Sequence, residues 1–235
     1  MRFVAVKTEE QQAAAILFRA RDLLVRQRTQ TINAIRGHLA EFGIVVAKGP
    51  CHVAKLVVAI EDNKTGLPEM ARPILQLLVE QLRFLDERVA LLDRELAQRA
   101  REDAEAKRLM TVPGIGPITA TALVALAPTA QTFKKGRDFA AWLGLTPLQR
   151  STGGKQKLGE TSRMGERTLR RLLIIGASAA VRWAIRKGSP DPWLARMLHR
   201  KSPMLVIVAL ANKTARIVWA LMARGGIYRM RAVAG

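Results

Sequence analysis

Between Gln149 and Met164 a hydroxyl group stands among cations, in the run Arg150-Ser151-Thr152-Gly153-Gly154-Lys155 with Lys157 and Arg163 beyond it. A serine can attack a phosphodiester when arginines and a metal stabilise the charge that develops on the transferring phosphoryl group. No histidine stands near Ser151 or Thr152, so a Ser-His-Asp arrangement is unsupported. Residue chemistry alone leaves two readings of Ser151 open, a nucleophile or a serine turn that contacts phosphate, and favours the second. Residues 107–235 contain only Asp138, Glu160, Glu166 and Asp191 as acids. These four form no set of the kind that holds two Mg²⁺ ions in a nuclease.

Two further motifs address phosphate. Arg163, Arg167, Arg170 and Arg171 fall near i, i+4 and i+7 at the start of an apolar stretch. They predict a basic helix face able to clamp a backbone bidentately. Cations at a helix N-terminus oppose its dipole, and a bound polyanion compensates them. In Pro113-Gly114-Ile115-Gly116-Pro117 the spacing predicts a Gly-x-Gly turn between two helices, with Pro117 in the first turn of the second. The amides of Gly114, Ile115, Gly116 and Thr119 are candidate phosphate ligands at that helix start. An ordinary helix–turn–helix connection with no ligand is the competing reading.

Charge supports the phosphate readings. The 235 residues carry a formal net charge of +20. Residues 1–106 hold 16 Lys and Arg against 15 Asp and Glu, whereas residues 107–235 hold 23 against 4. So localised an excess favours a nucleic-acid partner over a merely solvated surface. Aromatic content of 5% and the lack of a lipidation motif disfavour a membrane surface. Cys51 is the single cysteine, so there is no disulfide framework and no thiolate zinc site. His38, His52 and His199 are isolated and read as ordinary helix or loop residues. No signal peptide is visible, and Asn212, Lys213, Thr214 and Arg216 interrupt the apolar run Met204–Met222, which reads as a buried or amphipathic helix and not a membrane span.

The elements that position these residues are helical throughout. The expected class is all-α: long coiled-coil helices over residues 1–106, then a compact basic helical domain over 107–235 with a helix-hairpin-helix at about 109–126. Residues 9–42 predict one long helix, and 43–73 a connector holding a small helix. Leu75, Leu78, Leu82, Leu85, Val89, Leu92 and Leu96 step alternately by three and four, a heptad seam. That seam suits an antiparallel hairpin with the first helix, a second copy of the chain, or both at once. Further helices are expected at 102–112, 117–126, 136–143, 166–187, 191–200 and 203–224.

Taken in order, Thr111–Pro117, Phe139-Ala140-Ala141-Trp142-Leu143-Gly144-Leu145-Thr146-Pro147, Ser151–Lys155 and Thr168-Leu169-Arg170-Arg171-Leu172-Leu173 resemble the C-terminal transposase domain of the IS one-ten insertion-sequence family, nearest its IS eleven-eleven branch. The helices upstream resemble that family's linker and coiled coil. The resemblance implies DNA transposition guided by a structured bridge RNA, assembly through the coiled coil, and a serine that links covalently to DNA. By motif position that serine is Ser151, with Thr152 the alternative alignment. It also implies an N-terminal RuvC-like domain with four metal-binding acids. Met1-Arg2-Phe3-Val4 lies past the point where that domain ends, so a C-terminal portion is expected, with no metal of its own and Mg²⁺ only alongside the acidic domain. The implied setting is the bacterial cytoplasm, at the nucleoid. Two other functions stay open: a non-enzymatic DNA-binding protein, and an oligomerising inhibitor of a full-length transposase.

Overall fold

Of the heptad residues, Leu75, Leu82, Leu85, Val89 and Leu96 are buried inside the chain itself, and Leu78 and Leu92 partly so. The computed structural model describes residues 8–229 apart from 156, 189 and 190. In it α1 spans Glu9–Glu41, α2 Val53–Glu61 and α3 Ala71–Glu102. Leu75, Val79, Leu82, Leu85 and Val89 of α3 are buried. The first three share a core with Ile35 and Leu39 of α1, Leu56 and Ile60 of α2, and Leu67. Ion pairs fix the direction: Arg21 meets Asp93 and Arg28 meets Asp86, so advancing along α1 means retreating along α3. Within the chain the seam therefore meets α1 as an antiparallel hairpin. The connector holds its small helix, α2, capped by a 3-10 turn at Pro50–His52.

Two compact units result, one over residues 16–95 and the other from Leu96 onward together with the start of α1. The division lies inside α3, ahead of the 106/107 step in charge, because contacts and charge change at different places. The helix expected at 102–112 is shorter than that. Asp103 breaks the chain after α3 and caps α4 (Ala104–Leu109), its carboxylate accepting from the amides of Glu105 at 2.7 Å and Ala106 at 2.9 Å.

In the second unit α5 (Pro117–Leu126) is apolar on every side and correspondingly interior, with Ala120, Ala122 and Leu123 fully buried. Next come α6 (Gly136–Trp142), α7 (Arg167–Arg186), α8 (Pro192–Arg200) and α9 (Pro203–Arg224). By length and composition α9 could cross a membrane. Here it is the helix on which α4, α6, α7 and α8 converge. Val206, Ala211, Ala215 and Val218 form its buried face. Asn212 Nδ2 donates to the Leu145 carbonyl at 3.0 Å and Trp219 Nε1 to that of Ala130 at 3.1 Å.

The class is all-α, with one departure among the described residues. The basic stretch between the helices expected at 136–143 and 166–187 forms an antiparallel ribbon of β1 (Pro147–Gln149) and β2 (Leu158–Thr161). Gly153 (φ 57°) and Gly154 (φ 75°) turn it between Thr152 and Lys155. Positive φ at both central residues is what a two-residue hairpin turn requires.

Candidate nucleic-acid interface

Ribbon and helices meet at a crossing of two backbone segments. Added β-carbons at Gly144 and Gly165 would collide with the backbone carbonyls of Met164 and Trp142 respectively. Only glycine allows the segments entering and leaving the ribbon to lie so close. Arg170 stitches the crossing, donating from Nη1 to the carbonyls of Leu143 (3.1 Å) and Met164 (2.9 Å). Arg163 stands beside it with φ 55°, the left-handed region that non-glycine residues seldom occupy, and its amide donates to the Gly144 carbonyl at 3.2 Å. Sequence spacing put Arg163 on the arginine helix face. It lies instead in the turn ahead of α7, whose N-cap is Glu166.

From that root opens a groove of about 1820 Å³. Its cations come from three helices and one turn: Lys135 and Arg137 at the start of α6, Arg163 in the turn ahead of α7, Arg167, Arg170 and Arg171 at the start of α7, and Lys213, Arg216 and Arg224 along α9. Glu160 is the single carboxylate in the lining, and it sits 3.7 Å from Arg163. Apolar side chains such as Ile174, Val208 and Ile217 form part of the same lining. Nine cations against one acid cannot be neutralised from within, so the groove holds a concentrated positive potential. Close packing makes this possible: a β-carbon at Gly136 would lie 3.1 Å from the Arg216 carbonyl, so α6 runs hard against α9. All four expected arginines of the α7 segment line the groove. The five cations on α6 and α9 escaped sequence reasoning because no spacing ties Lys135 and Arg137 to Lys213, Arg216 and Arg224, far along the chain. The +19 balance of the second half was their only signal.

Ser151 is not in the groove lining. It stands exposed on the ribbon, where its hydroxyl donates to Gln149 Oε1 at 3.1 Å and accepts from the Lys157 amide at 3.0 Å. Gln149 supplies no base, so among the described residues no hydrogen-bond partner of Ser151 takes its proton. Arg150, Thr152, Lys155 and Lys157 are exposed on the same ribbon. Among the described residues no three His, Cys, Asp or Glu side chains converge as a metal site would need.

The Gly-x-Gly turn lies elsewhere. A β-carbon at Gly114 would fall 2.6 Å from the Gly176 carbonyl, and one at Gly176 would strike the Gly114 carbonyl. Gly114 is thus glycine because the turn packs backbone to backbone on α7. The side chains of Ile115 and Thr119 are buried, and the Ile115 amide, expected as a phosphate ligand, instead donates to the Val112 carbonyl at 3.0 Å, closing the turn. Gly116 is exposed, and no side chain caps α5.

The profile of the IS116/IS110/IS902 transposase family matches residues 106–192, from α4 through the ribbon and α7. Over 97% of its length the chain is 37% identical to the transposase for insertion sequence element IS1328 of Yersinia enterocolitica, covering 68% of that protein. The chain belongs to the IS116/IS110/IS902 transposase family. The y4pF/y4sB protein of Sinorhizobium fredii is 46% identical over 97% of the chain, and the transposase for insertion sequence element IS1111A of Coxiella burnetii 36% over 99%. The chain spans only 59% and 64% of those two relatives. Within this family member, the matched segment holds Ser151 and the α7 arginines, while α9, with three of the groove's cations, lies outside it.

Proposed function

We propose that this chain is the DNA-engaging, C-terminal portion of an insertion-sequence transposase, and that the groove among α6, α7 and α9 holds a nucleic-acid backbone. The observation that carries this is the lining of nine cations and one carboxylate. Lys and Arg that neutralise phosphates release condensed counterions, which makes such binding strong and steeply dependent on salt. DNA is the first partner, and a structured guide RNA offers the same phosphate chemistry. Ser151 is the candidate nucleophile for strand transfer. Its deprotonation, together with the Mg²⁺ that would stabilise the transferring phosphoryl group, is assigned to an acidic domain outside these residues. The activity belongs to the bacterial cytoplasm, where the DNA is. Self-association through the coiled-coil half completes the proposal.

A second reading has its own observation. Ser151 hydrogen-bonds to an amide oxygen and a backbone N–H, neither of them a base, and no other partner is seen among the described residues. Alone, the chain then binds DNA without cutting it, as an architectural protein or as an inhibitor of a complete transposase.

Binding to a DNA duplex across a salt series tests the core proposal. The log of the binding constant should fall linearly with log salt, and Arg167→Ala should make the slope shallower by roughly 1. Ser151→Ala should leave affinity intact and abolish strand transfer when an acidic domain is supplied. Weak or salt-indifferent binding overturns the nucleic-acid reading. Strand transfer that survives Ser151→Ala removes the serine from the reaction and favours the second reading.

A further inference from the structure

The ribbon has two chemically distinct faces. Its register pairs Gln149 with Leu158 and Thr152 with Lys155, and the Arg150 amide donates to the Lys157 carbonyl at 2.9 Å. Cross-strand partners project to the same face and consecutive residues to opposite faces. Arg150, Lys157, Lys155 and Thr152 therefore share one face, and Gln149, Ser151 and Leu158 the other. The packing agrees: a β-carbon at Gly159 would lie 3.4 Å from Arg150 Nε and 3.5 Å from the β-carbon of Leu148, the residues that flank Gln149. Every cation of the ribbon's outer part among the described residues is on the face away from Ser151. None of the three pairs with a carboxylate among the described residues. Neither face is covered, since these side chains are all exposed.

Resting on the nucleic-acid reading above, we propose that the ribbon is a two-sided arm. Its Arg150–Lys155–Lys157 face grips the phosphates of a DNA duplex, and its Gln149–Ser151 face stays open toward a second strand. The spacing suits this role. Lys155 and Lys157 stand two residues apart, about 7 Å along the strand, or about two nucleotide steps of 3.4 Å on one DNA strand. A serine whose partners are Gln149 and the Lys157 amide carries no charge and adds little to duplex affinity. It is instead held at a fixed place on the uncovered side. The arm thereby separates gripping from chemistry: the duplex bound by the cations is not the strand that Ser151 addresses.

Thiol accessibility tests this directly. In a Cys51→Ser background, single cysteines replace Ser151, Lys155 or Lys157, and their reaction with a maleimide is timed with and without a short random-sequence B-form DNA duplex. With free duplex at about ten times Kd, bound chain exceeds free chain about tenfold, so a covered thiol reacts about tenfold more slowly. The expected result is slowing at 155 and 157 and an unchanged rate at 151. Slowing at all three positions, or at 151 alone, overturns the two-sided arm while leaving DNA binding in place. Unchanged rates everywhere, on a chain that demonstrably binds the duplex, put the arm outside the interface and overturn the proposal as well. A chain that binds no duplex at low salt fails the nucleic-acid reading itself, and the arm with it.

Discussion

Arg163 lines the proposed binding groove from a strained backbone conformation. Its backbone is left-handed, with φ 55°, at the root of the ribbon, and its guanidinium lines the groove. For an L residue with a β-carbon that conformation costs about 1 kcal/mol. Arg163→Gly should therefore raise unfolding stability by about that amount in urea titrations, while weakening duplex binding at moderate salt. A loss of stability would mean that the side chain holds the turn together and the backbone strain is small. Arg170 is the contrasting case. Counted among the phosphate clamps by spacing, it spends two hydrogen bonds on the carbonyls of Leu143 and Met164, so its position in the groove is fixed by the ribbon root.

At the scale of elements, α3 carries two apolar stripes with different partners. Leu75, Val79, Leu82, Leu85 and Val89 are buried within the chain. Ile74, Leu77, Phe84 and Leu91 follow a heptad of their own one residue out of phase, and they are about half exposed or more, from 47% to 64%. The first stripe closes the hairpin, so any pairing of two copies through α3 uses the second. Parallel pairing would set Arg88 against Arg88, whereas antiparallel pairing about Phe84 sets Arg88 of each copy near Glu80 of the other. Leu82→Ala should cost about 2–5 kcal/mol of stability. Phe84→Glu should leave stability nearly unchanged and convert the chain to monomer in sedimentation equilibrium. An unchanged mass after Phe84→Glu would remove this stripe from self-association. The heptad was legible because its period is local; which of two adjacent seams α1 would cover was not, because that depends on where the 43–70 segment returns the chain.

Over the whole molecule, charge sets a measurable liability. The second half holds 23 Lys and Arg against 4 Asp and Glu, and nine of those cations face one another across a single groove. Their repulsion weakens the folded state until ions screen it, over a Debye length of about 10 Å at 0.1 M salt. The melting temperature should therefore rise with salt up to a few tenths molar, and further with heparin, a polyanion. A melting temperature indifferent to both would mean that solvent already screens the groove fully. The same salt that stabilises the fold should release DNA, so the two measurements run in opposite directions.

By itself the sequence determined the helices and their class. Long apolar periods punctuated by Gly43 and Pro68 between helices and by Pro117 and Pro203 at helix starts leave little choice of element, and the ordered motifs from Thr111 to Leu173 determined the family. The strong positive charge of the second half was also legible, since net charge is a sum that needs no fold. Only the tertiary structure decided which cations act together. Lys135, Arg137, Lys213, Arg216 and Arg224 meet the α7 arginines because α6 and α7 both pack on α9, a proximity that no local pattern encodes. The structure likewise gave Gly114 a packing reason through Gly176, sixty-two residues away, and put Ser151 on the face opposite its neighbouring cations. The sequence brings Arg150, Ser151, Lys155 and Lys157 within a few residues of one another, but side-chain alternation along a strand sends neighbours to opposite sides. Spacing along the chain could not show that separation until the ribbon's register was known.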